Sequence, residues 1–206
     1  MRTDTIETFL EQLAARVPAP GGGATAALHA AQGAALVAMV ARYSDSAKYA
    51  EHAQEIAAIT ATADRLRERA LGLAEEDAAA FTAVTQAYGL PKATTEEAAA
   101  RSAAIAKALI AAAQVPAVVV AVADQVLGLA EQLVPIGNRN VISDVAAAAE
   151  AARAAATTAR VNVEVNLGGI KDPATWGRLA AVADTVDDLV LRAEKVTGAV
   201  RDGLAR

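Results

Sequence analysis

The sequence has no cysteine, two histidines, and only three Tyr, two Phe and one Trp among its 206 residues. Without cysteine there is no disulfide scaffold, no Cys-based zinc site and no thiol nucleophile. The histidines, His29 and His52, fall on different predicted helices. No carboxylate stands four residues after His29, and Glu51 and Glu55 beside His52 read as a solvated polar turn, so no metal site is expected. Positive charge is also scarce, with a formal net charge of −5 and a pI near 5.1. The densest basic run, Arg65-Leu66-Arg67-Glu68-Arg69, is preceded by Asp64 and interrupted by Glu68, so no nucleic-acid partner is expected. The N-terminus leads into Ile6, Phe9, Leu10 and Leu13 with acids interleaved, unlike the unbroken apolar core of a signal peptide, and a cytoplasmic protein is expected. The most apolar run, Val115 to Ala123, is shorter than a bilayer needs and is followed by Asp124, Gln125 and Glu131, so no membrane span is expected.

Alanine fills roughly a quarter of the chain, against a typical protein in which no residue type dominates, and 54% of positions are hydrophobic. This is helix-forming chemistry with ample material for a core. The spacing predicts one domain over residues 1–206, an all-α, up-and-down bundle of six or seven Ala-rich helices and no strand. The first helix spans about Asp4 to Arg16 and ends at Val17-Pro18-Ala19-Pro20. After Gly21-Gly22-Gly23 a second runs from about Ala24 to Arg42, apolar on most sides. A long third helix covers about Tyr49 to Tyr88 and is stopped by Gly89-Leu90-Pro91. Thr94-Thr95-Glu96-Glu97 opens a fourth to about Ala113, and Pro116 restarts a fifth to about Leu133. Ser143-Asp144 reads as a cap for a helix to about Asn166, closed by Gly168-Gly169. The last is expected from Pro173 to about Val200. Small side chains leave flat helix faces that pack closely, and such faces gain burial by pairing with a second copy, so a homodimer is expected.

Three places can carry chemistry. Pro18-Ala19-Pro20-Gly21-Gly22-Gly23-Ala24-Thr25 enters a helix, where backbone amides and the positive dipole end can hold an anion; a plain tight loop is the alternative, and there is no phosphate-loop Lys. Pro135-Ile136-Gly137-Asn138-Arg139-Asn140 with Ser143-Asp144 gathers amides, a guanidinium, a hydroxyl and a carboxylate at a helix entrance; ordinary capping is the alternative. Asp77 aligns with Leu73 and Phe81 on the apolar side of its helix, while Glu75 and Glu76 point outward. A carboxylate there is paired, caps a neighbouring loop, or is functional with a pKa open to being raised by burial. Asn162 and Asn166 share a helix face, but Asn162 lies 18 residues beyond Asp144, about 27 Å along a straight helix, so the two do not meet within one subunit. Lys48, Lys92 and Lys171 stand near helix boundaries, where a lone Lys is most often a surface residue.

These segments, in this order, resemble the formiminotransferase-cyclodeaminase C-terminal family, which includes stand-alone methenyltetrahydrofolate cyclohydrolases. The resemblance rests on Pro18 to Ala27, Gly33 to Ala41, Lys48-Tyr49, Ala74 to Phe81, Leu90 to Thr94, Ala111 to Pro116, Gly137 to Asp144 and Asn162 to Leu167. Ala24 stands where the family more often has Ser after the glycines, and Ser44-Asp45-Ser46-Ala47 replaces a basic cluster. The resemblance implies an all-helical, dimeric enzyme of one-carbon metabolism acting on a folate, with no metal and no cofactor beyond the tetrahydrofolate substrate. It implies Asp77 or Asp144 as base and cation stabiliser and Lys48 or Lys92 as proton donor or carboxylate anchor. Gly21, Gly22, Gly23 and Thr25 would contact an anion or the pterin edge, and Asn138, Asn140, Asn162 and Asn166 would bind substrate. Hydrolysis of methenyl-tetrahydrofolate to formyl-tetrahydrofolate is the expected reaction, because no formiminotransferase segment accompanies the helices. A cyclodeaminase releasing ammonia and an inactive helical binding protein are the alternatives.

Overall fold

A computed structural model describes residues 1–204. Those residues form α1 (Ile6–Ala14), α2 (Gly22–Arg42), α3 (Ala53–Tyr88), α4 (Thr95–Ile136), α5 (Ser143–Leu167), α6 (Pro173–Asp184) and α7 (Val186–Leu204), and contain no strand. Short 3-10 segments, Ala47–His52 and Arg139–Val141, lead into α3 and α5. The expected all-helical bundle is observed.

Helix α2 lies at the centre, against α3, α4 and α5, while α7 closes over α4 and α5. Its buried face is nearly all Ala and Gly, from Gly23 and Ala24 through Ala27, Ala30, Gly33 and Ala34 to Ala41. Ala148, Ala149, Ala152, Ala155, Ala156 and Ala159 form the matching face of α5. Side chains this short bring backbones together: a Cβ on Gly33 would lie 3.1 Å from the Ala148 carbonyl of α5 and 3.1 Å from Val126 Cγ1 of α4. Bulk enters at the flanks of this seam through Ile59 and Leu73 of α3 and Leu127 and Leu133 of α4, all essentially inaccessible. A smaller cluster, Ala113, Val163, Ile170, Leu179 and Ala183, joins α4, α5 and α6.

Four boundaries differ from the sequence expectation. The long third helix starts at Ala53, because Ala47–His52 is wound as a 3-10 segment. Pro116 neither breaks nor restarts a helix. It is buried inside α4, which runs unbroken for 42 residues; the missing N–H costs one helical bond, and the packed run Val119, Val120, Val122 and Ala123 beyond it holds the helix on course. The C-terminal helix is divided at Thr185, whose hydroxyl and N–H both donate to the Val182 carbonyl, at 2.7 and 3.2 Å, drawing the chain out of α-helical register. Ser143 and Asp144 lie within the first turn of α5 and do not cap it. Asn138 instead caps the preceding 3-10 segment, Arg139–Val141, accepting from the Asn140 N–H at 3.0 Å. The Thr94 start is confirmed as a reciprocal capping box with Glu97.

By length and composition α2 and α4 could each span a bilayer, with mean hydropathies of 1.5 and 2.1 over 18 residues. Val115 to Ala123 is not an isolated apolar run, because α4 continues on both sides of it. In α2, 61% of the apolar window is turned into the bundle.

The turn after α2 is tied to the turn before α5 through Ser44, the one fully buried polar side chain among the described residues. Its hydroxyl donates to the Val40 carbonyl at 2.8 Å and accepts from the Asn138 N–H at 2.8 Å. Ser44→Ala leaves that N–H without its partner and is expected to cost about 1–3 kcal/mol. The check is a lower urea midpoint at an unchanged m-value.

Candidate active site

At one end of the bundle the loop before α2, the C-terminal half of α3, the middle of α4 and the C-terminal end of α5 surround a cavity of about 370 Å³. Pro18, Ala19, Gly21, Gly22 and Gly23 form one wall; Asp77, Phe81, Val84 and Tyr88 of α3 form the next. Leu109 and Ala112 of α4 and Asn162, Val165 and Asn166 of α5 complete it. The α3 residues are spaced i, i+4, i+7 and i+11, and the α5 residues i, i+3 and i+4, so each set lies on one helix face.

Gly21 is the N-cap of α2 and offers no side chain to the first turn. The first helical N–H groups therefore lack intrahelical partners and carry the positive end of the helix dipole. Asp77 reaches across from α3 to this end. Its carboxylate occupies the space where a Cβ on Gly23 would stand, which explains why that position has no side chain. Burial pushes the Asp77 carboxyl above its ordinary value of 3.8, and hydrogen bonding from the Ala24 N–H opposes the shift. The result is a half-buried carboxylate, less acidic than usual, held at a fixed point on the cavity wall.

Opposite lie the two asparagines. Asn162 Nδ2 donates to the Thr158 carbonyl at 2.8 Å, and Asn166 Nδ2 donates to the Asn162 carbonyl at 2.8 Å. A backbone carbonyl accepts only from the amide's NH2, so these bonds fix both side chains and leave both Oδ1 atoms as acceptors. Thr25 is directed elsewhere: its hydroxyl donates to the Gly21 carbonyl at 3.0 Å, holding the glycine turn closed.

The structure thus brings together Gly21, Gly22, Gly23, Asp77, Asn162 and Asn166. Other residues marked as candidates from the sequence do not line this cavity. Asp144 sits near the start of α5, and because α5 is unbroken from Ser143 to Leu167 it stays a helix length away from Asn162 and Asn166. Asn138 is committed to structure, its Nδ2 donating to the Tyr43 carbonyl at 2.7 Å and its Oδ1 accepting from Asn140. Asn140 is exposed beside it. Lys48 is exposed and lies over the Tyr49 ring at 5.4 Å from its centroid. Lys92 is exposed in the α3–α4 loop. Sequence reasoning missed the apolar wall of Val84, Tyr88, Leu109 and Val165. The heptad step from Phe81 to Tyr88 was the available signal for its aromatic part. Among the described residues no three His, Asp or Glu side chains gather as a metal site would require.

An all-helical protein with a half-buried carboxylate at an open helix start, and two anchored asparagine side chains lining the same cavity, has the build of a small-molecule site. The chain belongs to the formiminotransferase-cyclodeaminase family, whose profile matches residues 5–185. It is 44% identical over 172 residues to a methenyltetrahydrofolate cyclohydrolase of Methylorubrum extorquens, covering 83% of each chain. It is 32% identical over 175 residues to the formimidoyltransferase-cyclodeaminase of Mus musculus, covering 82% of this chain and 31% of that longer protein. The crystal structure of formiminotetrahydrofolate cyclodeaminase from Thermotoga maritima superposes with a TM-score of 0.87 at 27% identity, covering 100% of this chain and 99% of that one.

Proposed function

We propose that the chain is a methenyltetrahydrofolate cyclohydrolase that adds water to the methenyl carbon of methenyl-tetrahydrofolate and releases formyl-tetrahydrofolate. Support comes from its 44% identity to the Methylorubrum cyclohydrolase over most of both chains, and from the position of Asp77. The substrate carbon is an amidinium, positively charged and held between two nitrogens. A carboxylate beside it stabilises the charge, and water attacking the carbon must lose a proton to a base. We assign both roles to Asp77, whose raised pKa makes it a better base than a solvent-exposed aspartate.

Proton transfer from the attacking water to Asp77 gives a neutral carbinolamine. The protonated carboxyl then delivers that proton to the departing nitrogen as the carbon–nitrogen bond breaks. The hydroxyl proton leaves as the formyl C=O forms, so one proton is released for each water consumed. The Oδ1 atoms of Asn162 and Asn166 accept from the donor edge of the pterin, and the α2 amides hold its carbonyl side. Flat Ala-rich helix faces favour a homodimer in this reading.

The test is the loss of methenyl-tetrahydrofolate absorbance at neutral pH beside a no-enzyme control. Acceleration over spontaneous hydrolysis is expected. No acceleration, together with ammonia release from formimino-tetrahydrofolate, would instead favour cyclodeaminase activity, the reading to which the Thermotoga neighbour lends weight.

A further inference from the structure

We propose that Tyr88 and Arg101 bind the aromatic, carboxylate-bearing tail of the substrate, and so make this site selective for folates that carry a glutamate. The proposal rests on the folate reading above and concerns a part of the substrate that takes no part in the chemistry.

The chain has few aromatic residues, yet two of them, Phe81 and Tyr88, line one cavity, 49% and 53% exposed. Large rings left half open in a pocket wall are unusual where Ala fills the core, and they offer flat surfaces for another ring. They extend away from the reacting end. Asp77 and Tyr88 are 11 residues apart on one face of α3, about 16 Å along its axis. A folate is similarly elongated: ring system, one-carbon unit, benzoyl ring, then glutamate carboxylates. With the one-carbon unit at Asp77, the benzoyl ring runs along Phe81 and Tyr88, and the carboxylates emerge beyond Tyr88.

Arg101, two turns into α4, stands there. Its guanidinium lies 5.6 Å from the Tyr88 ring centroid, and its Nε and Nη2 donate to the Tyr88 carbonyl at 3.3 and 3.1 Å. Those bonds hold the ring and the cation as one unit, yet leave the charge without an acid partner among the described residues. Glu97, one turn earlier on α4, is engaged elsewhere, accepting from the Ala93 and Thr94 N–H groups at 2.8 and 3.2 Å. An unneutralised guanidinium fixed beside a half-exposed ring matches an arylamide ending in carboxylates.

Arg101 also satisfies the last carbonyl of α3, so the test must separate binding from support. Steady-state kinetics are measured with methenyl-tetrahydrofolate and with the corresponding tetrahydropteroyl amide, which keeps both rings and lacks every carboxylate. Arg101→Gln is expected to raise KM for the glutamate substrate about tenfold, the loss of one charge-assisted contact, with the change concentrated in KM rather than kcat and absent for the amide. Arg101→Lys should recover part of the loss, and added salt should raise KM in the wild type more than in Arg101→Gln. Tyr88→Leu should raise KM for both substrates, and Tyr88→Phe should do so less. Equal effects of Arg101→Gln on both substrates, or none on either, would overturn the proposal. Calorimetric titration with formyl-tetrahydrofolate separates it from the activity: Arg101-dependent binding without turnover supports the tail site and refutes the cyclohydrolase, whereas binding independent of Arg101 refutes the tail site alone.

Discussion

Asp77→Asn is expected to lower turnover of methenyl-tetrahydrofolate by about 10²–10⁴-fold, the usual contribution of a positioned base, while leaving the protein folded. The substitution is informative because the carboxylate has two plausible tasks. It faces the open amides of α2, so it can be read as a cap supplied by a neighbouring helix, and it faces the cavity, so it can be read as a base. Asparagine keeps the cap, because its Oδ1 accepts from an amide as well as a carboxylate does at a helix start, and removes only the base. Alanine removes both and is expected to cost about 0.5–2 kcal/mol of stability in addition to the activity. The pH dependence carries an independent sign. Because the folded pKa is raised, the folded state binds this proton more tightly than the unfolded chain does, so ionising Asp77 opposes folding as pH rises from its ordinary value through the raised one. At neutral pH Asp77→Asn should therefore be as stable as the wild type or more so, with the difference vanishing below the ordinary carboxylate range. Activity has the opposite slope: kcat/KM of the wild type should fall as acid protonates Asp77. Near-normal turnover in Asp77→Asn would reduce the residue to a cap.

The fold was legible in the sequence where side chains act locally. Thr94 and Glu97 cap α4, Pro173 opens α6, and Gly89 and Gly168 end α3 and α5 as their positions suggested. It was misread where packing overrode local preference. A proline inside a helix costs about 3 kcal/mol or more, so Pro116 read as a boundary, yet the apolar run beyond it is packed into the core and compensates. The division at Thr185 carries no proline or glycine; a single hydroxyl competing for the Val182 carbonyl was sufficient.

The site divides along the same line. Asp77 was visible as a carboxylate on an apolar stripe, and Asn162 and Asn166 as a shared face, because both signals are periodicities within one helix. What joins them is tertiary: the end of α5 and the middle of α3 come together over the start of α2, and no spacing within either helix encodes that meeting. Asn138 and Asn140 looked like binding groups for the complementary reason. Their side chains are rich in donors and acceptors, but the Asn138 amide is taken by the Tyr43 carbonyl and its backbone N–H by the Ser44 hydroxyl, both more than 90 residues away in sequence, and Asn140 is left exposed beside it.

The glycine triplet is the last case, and it yields the second large effect. Three consecutive glycines suggest a common need, but their surroundings differ. A Cβ on Gly21 would meet nothing within 4 Å, and one on Gly22 only Asn162 Nδ2 at an ordinary 3.6 Å. One on Gly23 would overlap the Asp77 carboxylate. None of the three has a positive φ, so the requirement at Gly23 is one of space and not of conformation. In Gly23→Ala either α2 or the carboxylate must move, and α2 is held by Ala24, Ala26, Ala27 and Ala30, all completely buried. The carboxylate is the softer element, so it should swing off the helix start. Gly23→Ala is therefore expected to lose about as much turnover as Asp77→Asn while remaining folded, the helix preference of alanine, up to about 1 kcal/mol, offsetting the weakened cap. The loss should not add: in an Asp77→Asn background the base is already gone, and Gly23→Ala should reduce turnover little further. Gly21→Ala should retain far more activity than Gly23→Ala. If Gly21→Ala proved equally damaging, or if the losses at Gly23 and Asp77 multiplied, the glycine would matter for a reason other than the room it leaves for Asp77.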